Sequence, residues 1–157
     1  MGELNEELLA VWLRLSTSIV NSRIVSELTY NETLICNILY RNMLEHGAAL
    51  TATDLCNRTN MLKSQMNRTL NLLESKEMIS RQRSTEDRRQ VFVRFDMDRA
   101  DVYKTQHIRI LKLLDHIIGE LGEEKAEELK RTLLHIAEVA DDILKSADPP
   151  AYYKENT

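Results

Sequence analysis

Apolar residues recur at intervals of three and four along most of this chain, and the pattern breaks only in its middle third. Leu4, Leu8, Val11, Trp12, Leu15 and Ile19 form one stripe, which predicts a first helix over 4–22. Thr29-Tyr30-Asn31-Glu32 has the spacing of a capping box, with Thr29 capping and Glu32 reaching back. A second helix should follow, with Leu34, Ile35, Ile38, Leu39 and Leu44 inward, closed by His46-Gly47 with glycine in a left-handed cap. Ala48-Ala49-Leu50 reads as a short extended piece able to join a sheet.

Thr51-Ala52-Thr53-Asp54 is a second capping signal and opens a short helix to about Asn57. A turn over Asn57 to Asn60 leads to another helix from about Leu62 to Lys76. Its Met66, Leu70 and Leu73 face inward, while Lys63, Ser64, Gln65, Asn67, Arg68 and Asn71 face out. The period then changes to two. Ile79 to Ser84 and Gln90 to Phe95 alternate as strands, with Val91, Val93 and Phe95 on one face and Phe92 and Arg94 on the other. The helical period returns over Asp96 to Leu121, with Val102, Ile110, Leu113, Leu114, Ile117 and Ile118, and again over 123–146, with Leu129, Leu133, Ile136, Ala137, Ala140, Ile143 and Leu144. Pro149-Pro150 stops the last helix and leaves a loosely held tail, AYYKENT.

Composition agrees with a mostly helical chain: 157 residues, 43% hydrophobic, 29% charged, with 4 Gly and 2 Pro. No apolar run suffices to span a bilayer, and MGELNEELL has no leader character, so a soluble, cytoplasmic protein is expected. The net charge of −4 hides a local surplus. Residues 58–94 hold nine basic side chains (Arg58, Lys63, Arg68, Lys76, Arg81, Arg83, Arg88, Arg89, Arg94) and four acidic ones (Glu74, Glu77, Glu86, Asp87), so acidic groups outnumber basic ones by nine elsewhere. A positive footprint on an acidic body suits a nucleic-acid reader, because affinity comes from neutralising phosphates at the contact face.

The helix-turn-helix and basic hairpin read together as a winged helix-turn-helix, which lays one helix in the major groove with a ribbon beside it. Ser64, Gln65, Asn67 and Arg68 carry the groups that meet base edges and phosphates. The plain alternative is a solvated helix face, and the basic hairpin that follows decides against it. For Arg81, Arg83, Arg88 and Arg89 the alternative is a charged edge that discourages strand pairing, a task mixed charges would perform as well.

The order of elements resembles the MarR family of bacterial transcriptional regulators over essentially the whole chain. The most specific likeness lies in Leu50-Thr51-Ala52-Thr53-Asp54-Leu55, Lys63-Ser64, Leu73-Glu74-Ser75-Lys76-Glu77-Met78-Ile79 and Asp87-Arg88-Arg89 with Val91-Phe92-Val93. The resemblance implies a mainly α fold with a small β-wing: a winged helix-turn-helix over 31–95, flanked by dimerisation helices over 1–28 and 98–148, all in one chain of 1–157. It further implies that Arg89 enters the minor groove while Asp87 orients it. A narrow minor groove concentrates negative potential and attracts arginine. Thr51, Thr53, Lys63, Ser64, Gln65, Asn67, Arg68, Arg81, Arg83, Arg88 and Arg89 are the expected DNA contacts.

The chain departs from that family at three places. Glu77 stands where relatives usually have glycine, and its backbone either avoids positive φ or accepts it at a cost. Leu62 stands where a capping Ser or Asp is common, so that helix is capped by Asn60 or poorly capped. Phe95-Asp96-Met97 replaces the usual Leu-Thr.

The implied function is a homodimeric regulator on a roughly palindromic operator in double-stranded DNA, modulated by a small aromatic effector. The alternatives are a winged-helix protein-interaction module and a thiol- or metal-sensing variant of the same regulator. Cys36 and Cys56 sit beside apolar residues and read as structural thiols. His46, His107, His116 and His135 show no ligand spacing, so no metal or cofactor is expected. Trp12 and Tyr40 read as core, or as lining for a pocket. Nothing resembles an enzyme motif: there is no phosphate loop, nucleophile elbow or paired histidine and carboxylate.

Overall fold

The computed structural model describes residues 2–20, 27–47, 49–85, 87 and 89–145. The elements in order are α1 (Glu3–Val20), α2 (Tyr30–His46), β1 (Leu50–Thr51), α3 (Ala52–Thr59), α4 (Lys63–Ser75), β2 (Ile79–Arg83), β3 (Val91–Phe95), α5 (Asp101–Leu121) and α6 (Glu123–Lys145). Two compact units result, residues 1–110 and residues 111–157.

In the first unit, both capping boxes form. Glu32 Oε2 accepts from Thr29 N at 2.8 Å while Thr29 Oγ1 accepts from Glu32 N at 3.3 Å. Asp54 and Thr51 repeat the exchange at 2.9 and 3.1 Å. Each box satisfies backbone donors that a helix start leaves open. Gly47, at φ 64, closes α2 as expected.

The sheet order is β1-β3-β2, antiparallel throughout, with Leu50 opposite Val93 and Arg81 also opposite Val93 on the other side. The extended piece before α3 is thus a third strand, Leu50–Thr51; Ala48 lies outside the described residues. Ile35, Leu39, Leu55, Met66, Leu70, Leu73, Met78, Ile79 and Val93 make the core beside this sheet. Leu55, Leu70 and Leu73 are fully buried, each worth roughly 1.5–3 kcal/mol of transfer free energy.

Tyr103 of α5 joins that core, edge-on to Phe95 at 5.5 Å and stacked on His107 at 5.4 Å. Its hydroxyl accepts from Asn37 Nδ2 at 3.2 Å, and burial pushes its pKa up to about 12. Gln106 Nε2 donates to Thr33 Oγ1 at 2.6 Å, which ties α5 to α2 a second time.

Several expectations need correction. Leu44 is 64% exposed, because α2 stops within a turn and its last residues leave the packed face. Trp12 is 58% exposed and is not core within one chain. Helix α3 runs two residues further than expected, to Thr59, and Asn60 ends it in left-handed conformation at φ 55, so the turn is shorter. Asn60 does not cap α4: Leu62 takes that place, and Gln65 Oε1 accepts from Leu62 N at 3.1 Å. Helix α5 starts at Asp101 rather than Asp96. Asp96 Oδ1 accepts from Asp98 N and Arg99 N at 3.0 and 3.3 Å, a local turn that competes with helix. Glu77 accepts positive φ, at 59°.

Helix α1 exposes Leu4, Leu8, Leu9, Val11, Trp12, Leu13 and Leu15. The side chain of Ile19, residues 21–26 and the tail lie outside the described residues. In the second unit, Gly122 at φ 82 turns the end of α5 into α6. Leu114, Ile117, Ile118 and Leu121 face Leu129, Leu133 and Leu134 across an open apolar groove of about 720 Å³. Among the described residues no helix is long and apolar enough to cross a membrane.

Candidate nucleic-acid interface

Helix α4 is sorted cleanly by its period. Met66, Thr69, Leu70 and Leu73 are buried, while Lys63, Ser64, Gln65, Asn67, Arg68 and Asn71 are exposed. Its first turn holds no acidic residue and begins with Lys63. That choice works against the positive helix end. It makes sense where a polyanion approaches the same end, since the open N–H groups and the ammonium then act together.

Gln65 has a divided role. Its Oε1 supplies the cap that Leu62 cannot, which leaves the amide Nε2 for outside contact. Thr51 is likewise engaged: its hydroxyl donates to Asp54 Oδ2 at 2.6 Å and it is half-buried, whereas Thr53 is exposed on the first turn of α3. Hydrogen bonds from Thr51 hold Asp54 below the usual carboxylate range.

The wing tip is a closed loop. Ser84 N donates to Gln90 O at 3.0 Å, and Gln90 N donates to Asp87 O at 2.9 Å. Asp87 N donates to Ser84 Oγ at 3.1 Å, and Asp87 Oδ1 accepts from Arg89 N at 3.0 Å. The Asp87 carboxylate therefore fixes the backbone from which the exposed Arg89 springs. Arg83 is exposed at the end of β2; Arg88 lies outside the described residues.

Arg81 differs from the other wing arginines. Its Nε donates to Glu74 Oε2 at 2.9 Å and its Nη2 to Asn71 Oδ1 at 2.7 Å, with a further Nη2 bond to Glu74 Oε2. Hydrogen bonding from Arg81 draws the Glu74 carboxyl below its ordinary value. The expectation that Arg81 reaches out to phosphate thus meets a guanidinium already held by α4. The sequence supplied the cation but not its partners, which lie across a helix end and a turn.

Lys76, counted in the basic surplus, is also committed: its Nζ donates to Glu32 Oε1 at 2.7 Å and to Glu27 O at 3.1 Å. Cys36 is fully buried, and its thiol is pushed up to about 12 by burial and by Glu32; Cys56 is half-buried against the core. Among the described residues no cluster of His, Cys, Asp and Glu could hold a metal ion.

Residues 41–90, from late α2 to the wing tip, match the MarR family model. The chain has the fold of MarR-type winged-helix structures. Staphylococcus aureus MepR in its DNA-binding conformation superposes with a TM-score of 0.68 at 14% identity, over 88% of this chain and 99% of that one. NadR in complex with 4-hydroxyphenylacetate gives 0.66 at 23% identity, over 87% and 94%. A MepR mutant bound to an oligodeoxyribonucleotide gives 0.55 at 14% identity, over 89% and 99%. No curated protein sequence matches the chain. In this chain that fold presents an outward polar helix with a three-stranded sheet beside it.

Proposed function

We propose that this protein is a homodimeric, sequence-specific DNA-binding transcriptional regulator acting on a roughly palindromic operator. One observation carries the reading: Arg81 joins the wing's outer strand to Asn71 and Glu74 on the outward side of α4, so the polar face of that helix and the wing belong to one surface. On that surface Lys63, Ser64, Asn67 and Arg68, with the Nε2 of Gln65 and with Thr53, meet the major groove. Arg83, Arg88 and Arg89 follow the backbone and the minor groove, and Asp87 holds the Arg89 backbone in place. Thr51 serves the interface indirectly, by starting α3.

The apolar face of α1, and separately those of distal α5 and α6, are what a second copy covers, because so many exposed Leu and Ile side chains are costly to leave in water. A two-fold dimer then presents two reading helices to successive major-groove half-sites. A small aromatic acid of the class named for NadR is the proposed effector, and it acts by favouring one spacing of the two readers. The burial of Cys36 speaks against a thiol switch at that residue.

The test is selection of bound fragments from randomly sheared genomic DNA. The reading predicts enrichment of sites with inverted half-sites about one helical turn apart. No enrichment, with weak salt dependence of residual binding, is the result a protein-interaction module would give, and it would overturn the proposal.

A further inference from the structure

We propose that Arg81 is a positioning residue, one that sets the angle of the wing against the reading helix and makes no contact with DNA itself. The inference rests on the DNA-binding reading above and deepens it. Strand β2 is an outer strand of the sheet, with β3 as its neighbour in the order β1-β3-β2. Arg81 lies opposite Val93, which lies opposite Leu50, so it sits at the three-stranded root from which the two-stranded arm extends beyond Gln82 and Phe92; the angle of that arm follows the angle of its root. Packing of Ile79 and Val93 holds the root, and among the described residues Arg81 adds the side-chain hydrogen bonds from β2 to α4. Asn71 and Glu74 lie one turn apart on α4, and the planar fork of Arg81 spans both.

Charge points the same way. A carboxylate on a helix that meets phosphate opposes binding, yet Glu74 sits there, with 40% of its side chain exposed and paired to Arg81. The pair is neutral as a unit, so Arg81 has no positive charge to spare for counterion release. It is also the more covered partner, at 25% exposed, while Arg83 and Arg89 stand open to solvent.

The experiment titrates one duplex bound by wild type, over a salt series, with Arg81→Gln, Glu74→Gln and the double variant. Glu74→Gln is isosteric and removes a negative charge from the DNA side, so electrostatics alone predicts tighter binding. Positioning predicts the reverse. Both single variants weaken binding by roughly tenfold, and the double variant is no worse than either, because the two side chains act as one brace. The salt slope of Arg81→Gln stays at the wild-type value. Arg81→Lys, which keeps the charge and loses the fork, stays weak. Direct phosphate contact gives the opposite set: Glu74→Gln tightens binding, Arg81→Gln lowers the slope by about 0.9, and lysine rescues. That set overturns the proposal while leaving the DNA-binding reading standing. If wild type binds no duplex, that reading fails first and this inference falls with it.

Discussion

Glu32 has 1% of its surface exposed and is paired to Lys76 at 2.7 Å. Burial alone would raise its pKa, but the hydrogen bond from Lys76 and those from Thr29 outweigh burial and leave it below the ordinary 4.5. Its stabilising effect is therefore complete above the unfolded-state value and is lost as pH falls through the lower folded-state value. Asp54 and Glu74 shift in the same direction, so urea midpoints should decline as pH drops below about 4.5. Lys76→Ala strands the carboxylate, and should cost about 2 kcal/mol at neutral pH. It should also flatten the acid dependence, since the Glu32 pKa then moves back up. A loss of equal size at every pH would reject this account of Lys76. Cys36 makes a separate point. A fully buried thiol with a pKa near 12 should resist thiol reagents until the chain unfolds, while the half-buried Cys56 reacts first. Rapid labelling of Cys36 in native protein, located by peptide mapping, would contradict that.

At the scale of elements, α4 ends in a paired closure: Met78 N donates to Leu73 O at 3.0 Å and Glu77 N to Glu74 O at 2.9 Å. The closure requires a left-handed residue, and Glu77 fills that place at φ 59 although glycine suits it better. The exposed Arg99 pair of Glu77 offsets little of the strain. Glu77→Gly should raise stability by about 0.5–1 kcal/mol in urea unfolding; a loss would show that the Arg99 contact outweighs backbone strain. The caps at Thr29 and Thr51, the inward set of α4 and the alternation of β3 were legible in the sequence because each is a local rule with a fixed spacing. The start of α5 was not, because Asp96 can cap a helix or fold a turn on itself, and the chain does the second. The role of Arg81 was not legible either: a run of arginines announces charge, whereas its partners Asn71 and Glu74 are set by tertiary placement.

For the whole molecule, the described apolar side chains of α1 and α6 stand exposed in a single copy. Leu133 is 45% exposed beside Leu129 and Leu134 in the distal groove. Sedimentation equilibrium should find wild type as a dimer and Leu133→Glu shifted toward monomer with its helicity kept; a monomeric wild type would remove the basis for two readers. The helical stripes of α1 and α6 could be read from sequence, but what covers them could not, since periodicity names a buried face and not its partner. The central claim is that the wing delivers Arg89 to DNA, held by Asp87. Its most direct test is the affinity of one selected duplex, measured across a salt series for wild type and Arg89→Ala. The account predicts weaker binding for Arg89→Ala and a slope of log affinity against log salt reduced by about 0.9; equal affinity with an unchanged slope would contradict it.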